Sequence, residues 1–598
     1  MSHINQTIGF PTIKDQKGTI IVNPQQKADA FANHFANYIT LPVTGLFECE
    51  PYCNFMNQEG DPCLLENHQN ENPDGETNAY VLSVDVGTTS LRCHIYDRHG
   101  NIRGSSSKRI EMQYPHQGWV EVVPDVLFDQ LVLSVKESLQ AASLKSQQLT
   151  CMGLACMRNT FVTWDSETGK PFHNFISWQD LRATEHTKLW NTSYAMKLLH
   201  NGSKFLHFFT RKKRFIGASV LKFSTNHVSM RLLWCLDTIP ELRQRASEGK
   251  AMFGCVETWL LWRLTGKKVH ATDCSCASAT GLFDPFVVEW SSVVCNMLNI
   301  PMNILPQCMD TSGHFGDIDP ELFGTSIPIT AIVADQQSAL FGECCFKKGD
   351  LKLTMGTGTF IDLNTGDSPQ ASYAGLYPLV GWKIKEETVF IAEGCATDTG
   401  IVLEWAKSYI GFFPGYFEDV TETSNMAESV PNSGGVYFVP AFTGLQAPIN
   451  DERAVTTMIG MTPATTKSHI VRALLESFAF RFKLLYETLL TETKIPLSHI
   501  CADGGVCNNN FLMQLMSDLT SQTIDRAKQR ADITSLGAAF LAGLGAGVWK
   551  SKEELIKIRS SDRIFQPKDT WSKYKNTFYQ WERAVGRSMR WYKETDVQ

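Results

Sequence analysis

YVLSVDVGTTSLRCHIYD, residues 80–97, is where the folded part of this chain begins. Its first seven residues are mostly apolar and include three valines, which predicts a buried strand. The small residues 87–90 (Gly-Thr-Thr-Ser) then predict a tight turn, and the apolar run that follows predicts a second strand. We therefore expect a β-hairpin whose tip carries three hydroxyl groups.

The same pattern returns about 270 residues later, in LKLTMGTGTFIDLN at residues 351–364. Two such hairpins suggest two halves with related folds, each presenting a hydroxyl-rich tip to a shared cleft. We expect the boundary near residue 345, with domains at 79–345 and 346–598. Because strands elsewhere alternate with amphipathic helices, such as one predicted at 468–490, the predicted fold class is α/β.

The composition is typical of a folded globular protein. The chain has 598 residues, of which 43% are hydrophobic and 20% charged. At roughly 100–200 residues per domain, two large domains or several small ones are expected. The 62 acidic and 55 basic side chains give a net charge of −7, which argues against nucleic acid as a partner because such binding needs concentrated basic surface.

The sequence predicts neither a membrane span nor a disulfide framework. No apolar run reaches the roughly 18–20 residues that a span needs. The nearest run, residues 533–549, is uncharged and rich in Gly and Ala, which predicts a buried, closely packed helix. The 17 cysteines have no Cys-x-x-Cys spacing, which predicts reduced and mostly buried thiols. Because no secretory signal is visible at the start, we expect a cytoplasmic location.

Residues 1–78 differ in character from the rest of the chain. Residues 47–77 are dense in Asn, Glu, Pro, Gly and Cys, which predicts a linker or a disordered tract. Residues 13–35 are similar to the segment ahead of the polymerase domain in non-LTR retrotransposons. The extension is therefore interpreted either as disordered or as an artefact of a mis-joined gene or inserted element.

The first hairpin tip has the chemistry of a phosphate site. Gly87 lets the backbone approach an anion without a Cβ in the way, and the hydroxyl groups can donate hydrogen bonds. Asp85 would repel phosphate unless a divalent metal lies between them, which suggests a Mg²⁺–nucleotide site. Arg92, on the outgoing strand, could reach a phosphate or pair with a surface acid.

A third glycine turn, ADGGVCNN at residues 502–509, leads into a helix predicted at 511–520. Glycines at a helix N-terminus admit a nucleotide, and the asparagines could bond its sugar or base. The alternative is an ordinary strand-to-helix turn with a capping Asn.

Asp335 follows an apolar strand in the run VADQQS at residues 333–338. In phosphoryl transfer it could accept the proton of the attacking hydroxyl, since a loose transition state needs little base strength. An Asp that caps a helix is the alternative.

Arg158, Asn159 and Trp178 could form a pocket for a small polyol, with the indole covering its carbon face. The same residues could instead be a salt-bridged Arg and a core Trp. The basic run at residues 211–214 is interpreted as a solvated loop.

The order of these motifs resembles the FGGY carbohydrate kinase family, whose fold is two ribonuclease-H-like domains of the actin and hexokinase type that flank an ATP and substrate cleft. The motifs are DVGTTS (85–90), RNT (158–160), WQD (178–180), ADQQ (334–337), MGTGT (355–359) and DGGVCNN (503–509). Within the family the chain is similar to glycerol kinases, through FVPAFTGLQAP (438–448), LESFA (475–479) and FLMQ (511–514). It is also similar to a divergent animal subgroup, through HNFISWQDLR (173–182), LHFFT (206–210) and VADQQSALFGECCF (333–346). The resemblance extends from about residue 80 to residue 592.

Position by position, the resemblance implies an enzyme that uses ATP and Mg²⁺. Asp85 would face the metal, and Asp335 would be the catalytic base. The implied nucleotide contacts are Thr88, Thr89, Ser90, Arg92, Thr357, Gly400, Glu404, Gly505 and Asn509. The implied contacts with glycerol are Arg158, Asn159, Trp178, Asp335, Gln336 and Phe360.

Two positions depart from the glycerol kinase pattern. Asn159 stands where the pattern has Glu, which removes a charge-assisted hydrogen bond worth roughly 1.5–3 kcal/mol. Glu404 stands where the family usually has Gln, and it adds negative charge near the nucleotide. Because both changes leave the base in place, they put the substrate in question more than the reaction.

Three functions therefore stay open. The first is phosphorylation of glycerol to sn-glycerol 3-phosphate with ATP, the second is the same transfer to another polyol or sugar, and the third is a nucleotide-binding regulatory pseudo-kinase. Each implies a small-molecule ligand, no nucleic acid and no membrane span, and each is compatible with a homo-oligomer.

Overall fold

Both predicted hairpins are present in the computed structural model, which describes residues 79–409, 420–528 and 531–593. The first joins β1 (Tyr80–Val86) to β2 (Ser90–Tyr96), and the second joins β14 (Asp350–Met355) to β15 (Thr359–Gly366). The strands of each pair run antiparallel. The predictions for residues 1–78 lie outside the described residues.

The remaining strands of the described chain are β3 (Ile102–Arg109), β4 (Glu121–Val122), β5 (Leu149–Cys156), β6 (Phe161–Asp165), β7 (Phe175–Ile176), β8 (Ala251–Cys255), β9 (Ala271–Asp273), β10 (Phe283–Asp284), β11 (Glu289–Trp290), β12 (Gln307–Met309), β13 (Ile329–Ala334), β16 (Tyr377–Ile384), β17 (Glu387–Ala396), β18 (Tyr437–Val439), β19 (Thr457–Ile459), β20 (His499–Asp503), β21 (Ile524–Ala527) and β22 (Ser561–Phe565). Its α-helices are α1 (Pro124–Ala141), α2 (Thr184–Thr192), α3 (Tyr194–Thr210), α4 (Lys213–Val220), α5 (Val228–Thr238), α6 (Pro240–Ser247), α7 (Val256–Leu264), α8 (Cys274–Ala279), α9 (Ser292–Met297), α10 (Pro320–Phe323), α11 (Asp335–Gly342), α12 (Gly400–Tyr409), α13 (Val420–Glu428), α14 (Lys467–Thr493), α15 (Asn510–Thr520), α16 (Ile533–Gly545), α17 (Lys552–Ile558) and α18 (Trp571–Ser588).

The two large sheets repeat one strand order. The first sheet runs β3-β2-β1-β5-β13, and the second contains β17-β15-β14-β20-β21, with β16 and β22 added at its edges. In both, the first three strands pair antiparallel and the last three pair parallel. The predicted α/β fold with two related, ribonuclease-H-like halves is therefore confirmed.

A pair of buried helices joins the halves. The uncharged run at 533–549 forms the predicted buried helix over its first 13 residues, as α16 (Ile533–Gly545), and this helix packs on α11. A Cβ added at Gly537 would lie 1.8 Å from the Ser338 carbonyl oxygen, and one at Gly342 would lie 2.4 Å from that of Ile533. Both helices belong to an apolar core that includes side chains of both sheets.

The topology brings three chain segments to one edge of the first sheet. Strands β1, β5 and β13 are parallel neighbours, so their carboxyl ends lie side by side. The turn at 87–90 follows β1, Arg158 follows β5 and Asp335 follows β13. Ligands of open α/β sheets bind at such an edge.

Other predictions concern single elements. The helices expected at 468–490 and 511–520 are present as α14 and α15. The described cysteines are free thiols, most of them buried. No described helix is both long enough and apolar enough to cross a bilayer. All described residues lie in one compact unit, Asn78–Gln598, and the division near residue 345 stays a prediction.

Candidate active site

Asp335 is the first residue of α11, at the point where β13 ends. The backbone N–H of Gln336 donates to its Oδ1 at 2.8 Å, which fixes the carboxylate at the helix start. Arg158 Nε lies 3.7 Å from the same oxygen. Burial raises the pKa of Asp335, and the Arg158 guanidinium opposes that shift.

Arg158 also binds a carboxylate that the sequence analysis did not single out. Its guanidinium contacts Glu393 Oε2, on β17, at 2.7 Å. Burial disfavours the charge of Arg158, but Glu393 and Asp335 outweigh burial and raise its pKa. Arg158 therefore stays charged. It bridges Asp335, which follows a strand of the first sheet, and Glu393, which lies on a strand of the second.

Gln336 is held by a second buried cation. Lys352 Nζ donates to the Gln336 side-chain oxygen at 2.7 Å and to its carbonyl oxygen at 3.0 Å. Lys352 also pairs with Asp362 at 2.7 Å, and both side chains are fully buried. Because its side-chain oxygen already accepts from Lys352, the Gln336 amide group can bind a ligand through its N–H donors.

Lys352, Asp362 and Glu393 form a row across three neighbouring strands. Lys352 on β14 lies opposite Asp362 on β15, and Asp362 lies opposite Glu393 on β17. A signal for the first pair was present in the sequence, since two charged residues interrupt an otherwise apolar hairpin. Such buried charges need a partner, which here is found across the strands.

Asn159 lies in the turn between β5 and β6, and Trp178 follows β7. Asn159 has a φ of 64°, and its Oδ1 is buried and accepts no hydrogen bond from any described residue. The fully buried Arg231 donates to the carbonyl oxygens of Asn159 at 2.7 Å and of Ser177 at 2.5 Å. Arg231, which the sequence analysis missed, thus holds the backbone beside both predicted substrate residues.

The predicted substrate and phosphate sites are joined directly. Trp178 Nε1 donates to Thr88 Oγ1 at 3.0 Å. In the same tip, the Gly87 N–H donates to the Ser90 carbonyl at 2.9 Å, and Thr89 is exposed. The hydroxyl-rich turn is therefore bonded to Trp178, and the strand before it meets the residue before Arg158, since the Met157 N–H donates to the Val86 carbonyl oxygen at 2.7 Å.

Asp85 lies at the end of β1, just inside this turn. Burial is the main cause that raises the pKa of Asp85 to about 7, with Asp335 and Asp532 adding to the shift and Arg92 opposing it. A divalent cation beside Asp85 would favour its ionised form and so oppose burial and the repulsion from Asp335 and Asp532. The Asp85 carboxylate therefore fits a Mg²⁺ ion that is bound together with phosphate. Among the described residues no cluster of three His, Cys, Asp or Glu side chains is placed to hold a metal alone.

Arg92 contacts the residues that precede α16. Its guanidinium donates to the Ala531 carbonyl oxygen at 2.5 Å and lies 3.9 Å from Asp532. The pairing with an acid that the sequence allowed is present, and a contact of Arg92 with the nucleotide stays a prediction.

The second hairpin tip is met by two other elements. The Gly400 N–H, at the start of α12, donates to the Gly356 carbonyl oxygen at 3.1 Å. A Cβ on Gly400 would lie 2.3 Å from that oxygen. On the other side, Gly504 has a φ of 93°, and a Cβ there would lie 2.4 Å from the Met355 carbonyl oxygen. Only glycine allows these approaches.

Open space remains where these elements meet. Thr357 is exposed at the tip, and a Cβ added to Gly505 would meet no atom of the structure within 4 Å. A helix N-terminus, a hydroxyl donor and a bare glycine backbone together suit the phosphates and sugar of a nucleotide.

The other predicted ligand contacts are placed as follows. Asn509 is fully buried and caps α15, since its Oδ1 accepts from the Leu512 N–H at 2.8 Å and its Nδ2 donates to Thr423 at 2.7 Å. The helix cap that the sequence allowed is thus observed, and a contact of Asn509 with the nucleotide stays a prediction. Glu404 is exposed on α12, and Phe360 is half-buried on β15.

Comparisons with known proteins identify similar chains and a similar fold. The FGGY family of carbohydrate kinases matches with its N-terminal domain at residues 80–342 and its C-terminal domain at residues 351–546. The chain is 52% identical to glycerol kinase 5 of Bos taurus over 87% of its length and 97% of the relative's, and 36% identical to glycerol kinase 2 of Thermotoga maritima over 86% and 99%. The crystal structure of Plasmodium falciparum glycerol kinase with ADP superposes with a TM-score of 0.76 and 32% identity, over 86% of this chain and 98% of that one.

Proposed function

Because this chain belongs to the FGGY family of carbohydrate kinases, we propose that it transfers the γ-phosphoryl group of ATP to glycerol and releases sn-glycerol 3-phosphate. Its glycerol kinase relatives support glycerol as the acceptor. The observation that carries the proposal is the hydrogen bond from Trp178 to Thr88, because it joins a proposed acceptor residue to the proposed phosphate turn.

Asp335 is the proposed base. Burial raises the pKa of Asp335, and the Arg158 guanidinium, with Nε 3.7 Å from the carboxylate, opposes that shift, so a carboxylate of moderately raised basicity would accept the proton of the attacking hydroxyl. Phosphoryl transfer passes through a loose transition state, so correct placement of the hydroxyl matters more than a strong base. The hydrogen bond donated by the Gln336 backbone N–H holds the Asp335 carboxylate at the start of α11.

The acceptor would be bound by groups that still have hydrogen-bonding capacity. The Asn159 Oδ1 is a buried acceptor without a donor among the described residues, and it suits a glycerol hydroxyl. The amide N–H groups of Gln336 are donors for the same ligand. The indole of Trp178 and the ring of Phe360 are proposed to cover its carbon atoms.

We assign the nucleotide to the two hairpin tips. The turn with Thr88, Thr89 and Ser90 would donate hydrogen bonds to the transferred phosphoryl group, and Thr357, Gly400 and Gly505 would border the rest of the ATP. Asp85 would hold the Mg²⁺ ion together with phosphate oxygens, and the ion would there neutralise charge on the transferred group.

A different polyol or a sugar is the second candidate for the acceptor. Asn159 is the observation that favours it, because a neutral amide oxygen is a weaker acceptor than the carboxylate of the glycerol kinase pattern. Replacing it by Asp restores a charge with almost no change of shape, and Asp tolerates a φ of 64° as Asn does.

The test is a coupled ATP-to-ADP assay of the full chain, with glycerol titrated from micromolar to molar and a panel of polyols and sugars beside it. We expect saturable turnover with glycerol, and a KM for glycerol about tenfold lower in N159D. A panel member with a higher kcat/KM than glycerol would move the proposal to that acceptor. ATP binding without turnover on any acceptor would overturn it in favour of a regulator.

A further inference from the structure

The helix α3 presents an apolar face to solvent. Tyr194, Leu198, Phe205 and Phe209 follow one another at intervals of four, seven and four residues, which places them on one side of a helix. They are 84%, 73%, 65% and 66% exposed. Large side chains with this exposure, aligned on one face, mark an interaction surface.

The opposite side of α3 attaches it to the fold. Met196 and Ser203, seven residues apart, are its buried residues. On the exposed side the Phe205 and Phe209 rings lie 4.8 Å apart, and Phe208 lies 5.3 Å from Phe209. The cluster includes the LHFFT motif at 206–210, which the proposed active site does not use.

This surface lies in the most basic part of the chain. Residues 186–236 contain no Asp or Glu, although the whole chain has a net charge of −7. Their basic residues are Lys188, Lys197, Lys204, Arg211, Lys212, Lys213, Arg214, Lys222 and Arg231.

Four of these cations border the apolar face. Lys197 and Lys204, seven residues apart, run along one flank of α3, and Arg211 and Lys212 follow its last turn. Lys197 lies 5.3 Å from the Tyr194 ring, and Arg211 lies 5.4 Å from that of Phe208. None of the four forms an ion pair with an acid in the described part of the chain.

We propose that α3 binds the surface of an anionic membrane. Its aromatic face would enter the boundary between headgroups and acyl chains, and its cations would contact lipid phosphates. Long basic side chains beside an apolar stripe can extend to the headgroups while their methylenes stay in the apolar layer. A second copy of this chain is a poorer occupant, because a symmetric contact would bring two acid-free, basic segments together.

The experiment is sedimentation of the full chain with sucrose-loaded vesicles, made either of phosphatidylcholine alone or with about 30% phosphatidylserine. We expect binding to the anionic vesicles only, and loss of binding as salt rises from about 0.1 M to about 0.5 M. F205S/F209S and, separately, K197E/K204E should each weaken binding about tenfold or more. The matched control is Y579S on α18, where the ring is 57% exposed, and it should bind like the wild type.

Each other outcome contradicts the proposal. Wild-type protein that stays in the supernatant at low salt would overturn it, as would wild-type-like vesicle binding by both F205S/F209S and K197E/K204E. A dimer that F205S/F209S converts to monomers, without vesicle binding, would assign the face to a second copy instead. If F205S/F209S changes the unfolding temperature, K197E/K204E decides the question, because it leaves the apolar face intact.

Discussion

Arg158 contacts two carboxylates, Asp335 at 3.7 Å and Glu393 at 2.7 Å. One positive charge is thereby shared between two negative ones in a buried setting. The stronger contact is with Glu393, so Asp335 keeps more of its basicity than it would as the sole partner of the guanidinium. We therefore propose that Glu393 is a positioning residue that tunes the proposed base through Arg158.

This role predicts the behaviour of E393Q. Without the second acid, Arg158 pairs fully with Asp335 and lowers its pKa. We expect kcat to fall about tenfold and the acidic limb of the kcat/KM profile to shift to lower pH, with the KM for ATP unchanged. The measurement is a steady-state pH profile. E387Q, an exposed position on the same strand, is the control, and a profile of E393Q that matches this control would contradict the role.

Among the structural elements, the loop after β20 is the one that tests the nucleotide subsite. A Cβ at Gly505 would meet no protein atom within 4 Å, so G505A should fold normally. If the nucleotide occupies that space, the added methyl group should weaken ATP binding about tenfold. Calorimetric titration of ATP into G505A measures this. G202A, also open to solvent, should bind ATP like the wild type, and equal affinity in both variants would place the nucleotide elsewhere.

The close contact between α11 and α16 leads to a second prediction at the scale of structural elements. A methyl group at Gly537 would be 1.8 Å from the Ser338 carbonyl oxygen, so G537A must push the helices apart. We expect its free energy of unfolding to fall by about 2–4 kcal/mol. G586A adds a methyl group to α18 with nothing within 4 Å, and it should stabilise by about 0.5–1 kcal/mol. Chemical denaturation of both variants measures the difference, and a neutral G537A would mean that the helices are not packed this closely.

For the whole molecule, the features that could be predicted from the sequence are those that a short local pattern determines. The two hairpins, the uncharged helix α16 and the Asp that follows β13 are each visible in a short run of residues, because apolar periodicity and glycine placement are local signals. The repetition of the hairpin also predicted the two related halves.

The residues that the sequence did not predict owe their roles to contacts between distant segments. Glu393 is an ordinary acid in a strand until folding brings it to Arg158, and Arg231 resembles any helical Arg until it binds the carbonyl of Asn159. Asn509 shows that local pattern also reveals a cap, because the asparagine before a predicted helix does cap α15, while its contact with a nucleotide stays a prediction. Long-range pairing of this kind follows from the strand order, which a single sequence does not reveal.

The most direct measurement compares wild-type protein with Asp335→Asn for glycerol-dependent ATP turnover and, by calorimetry, for ATP binding. Asn keeps the shape of the side chain and removes its ability to accept a proton. We predict that turnover falls about 10²–10⁴-fold while the dissociation constant for ATP stays within about twofold. Retained turnover would contradict the assignment of Asp335 as the base, and so would an equal loss of ATP binding.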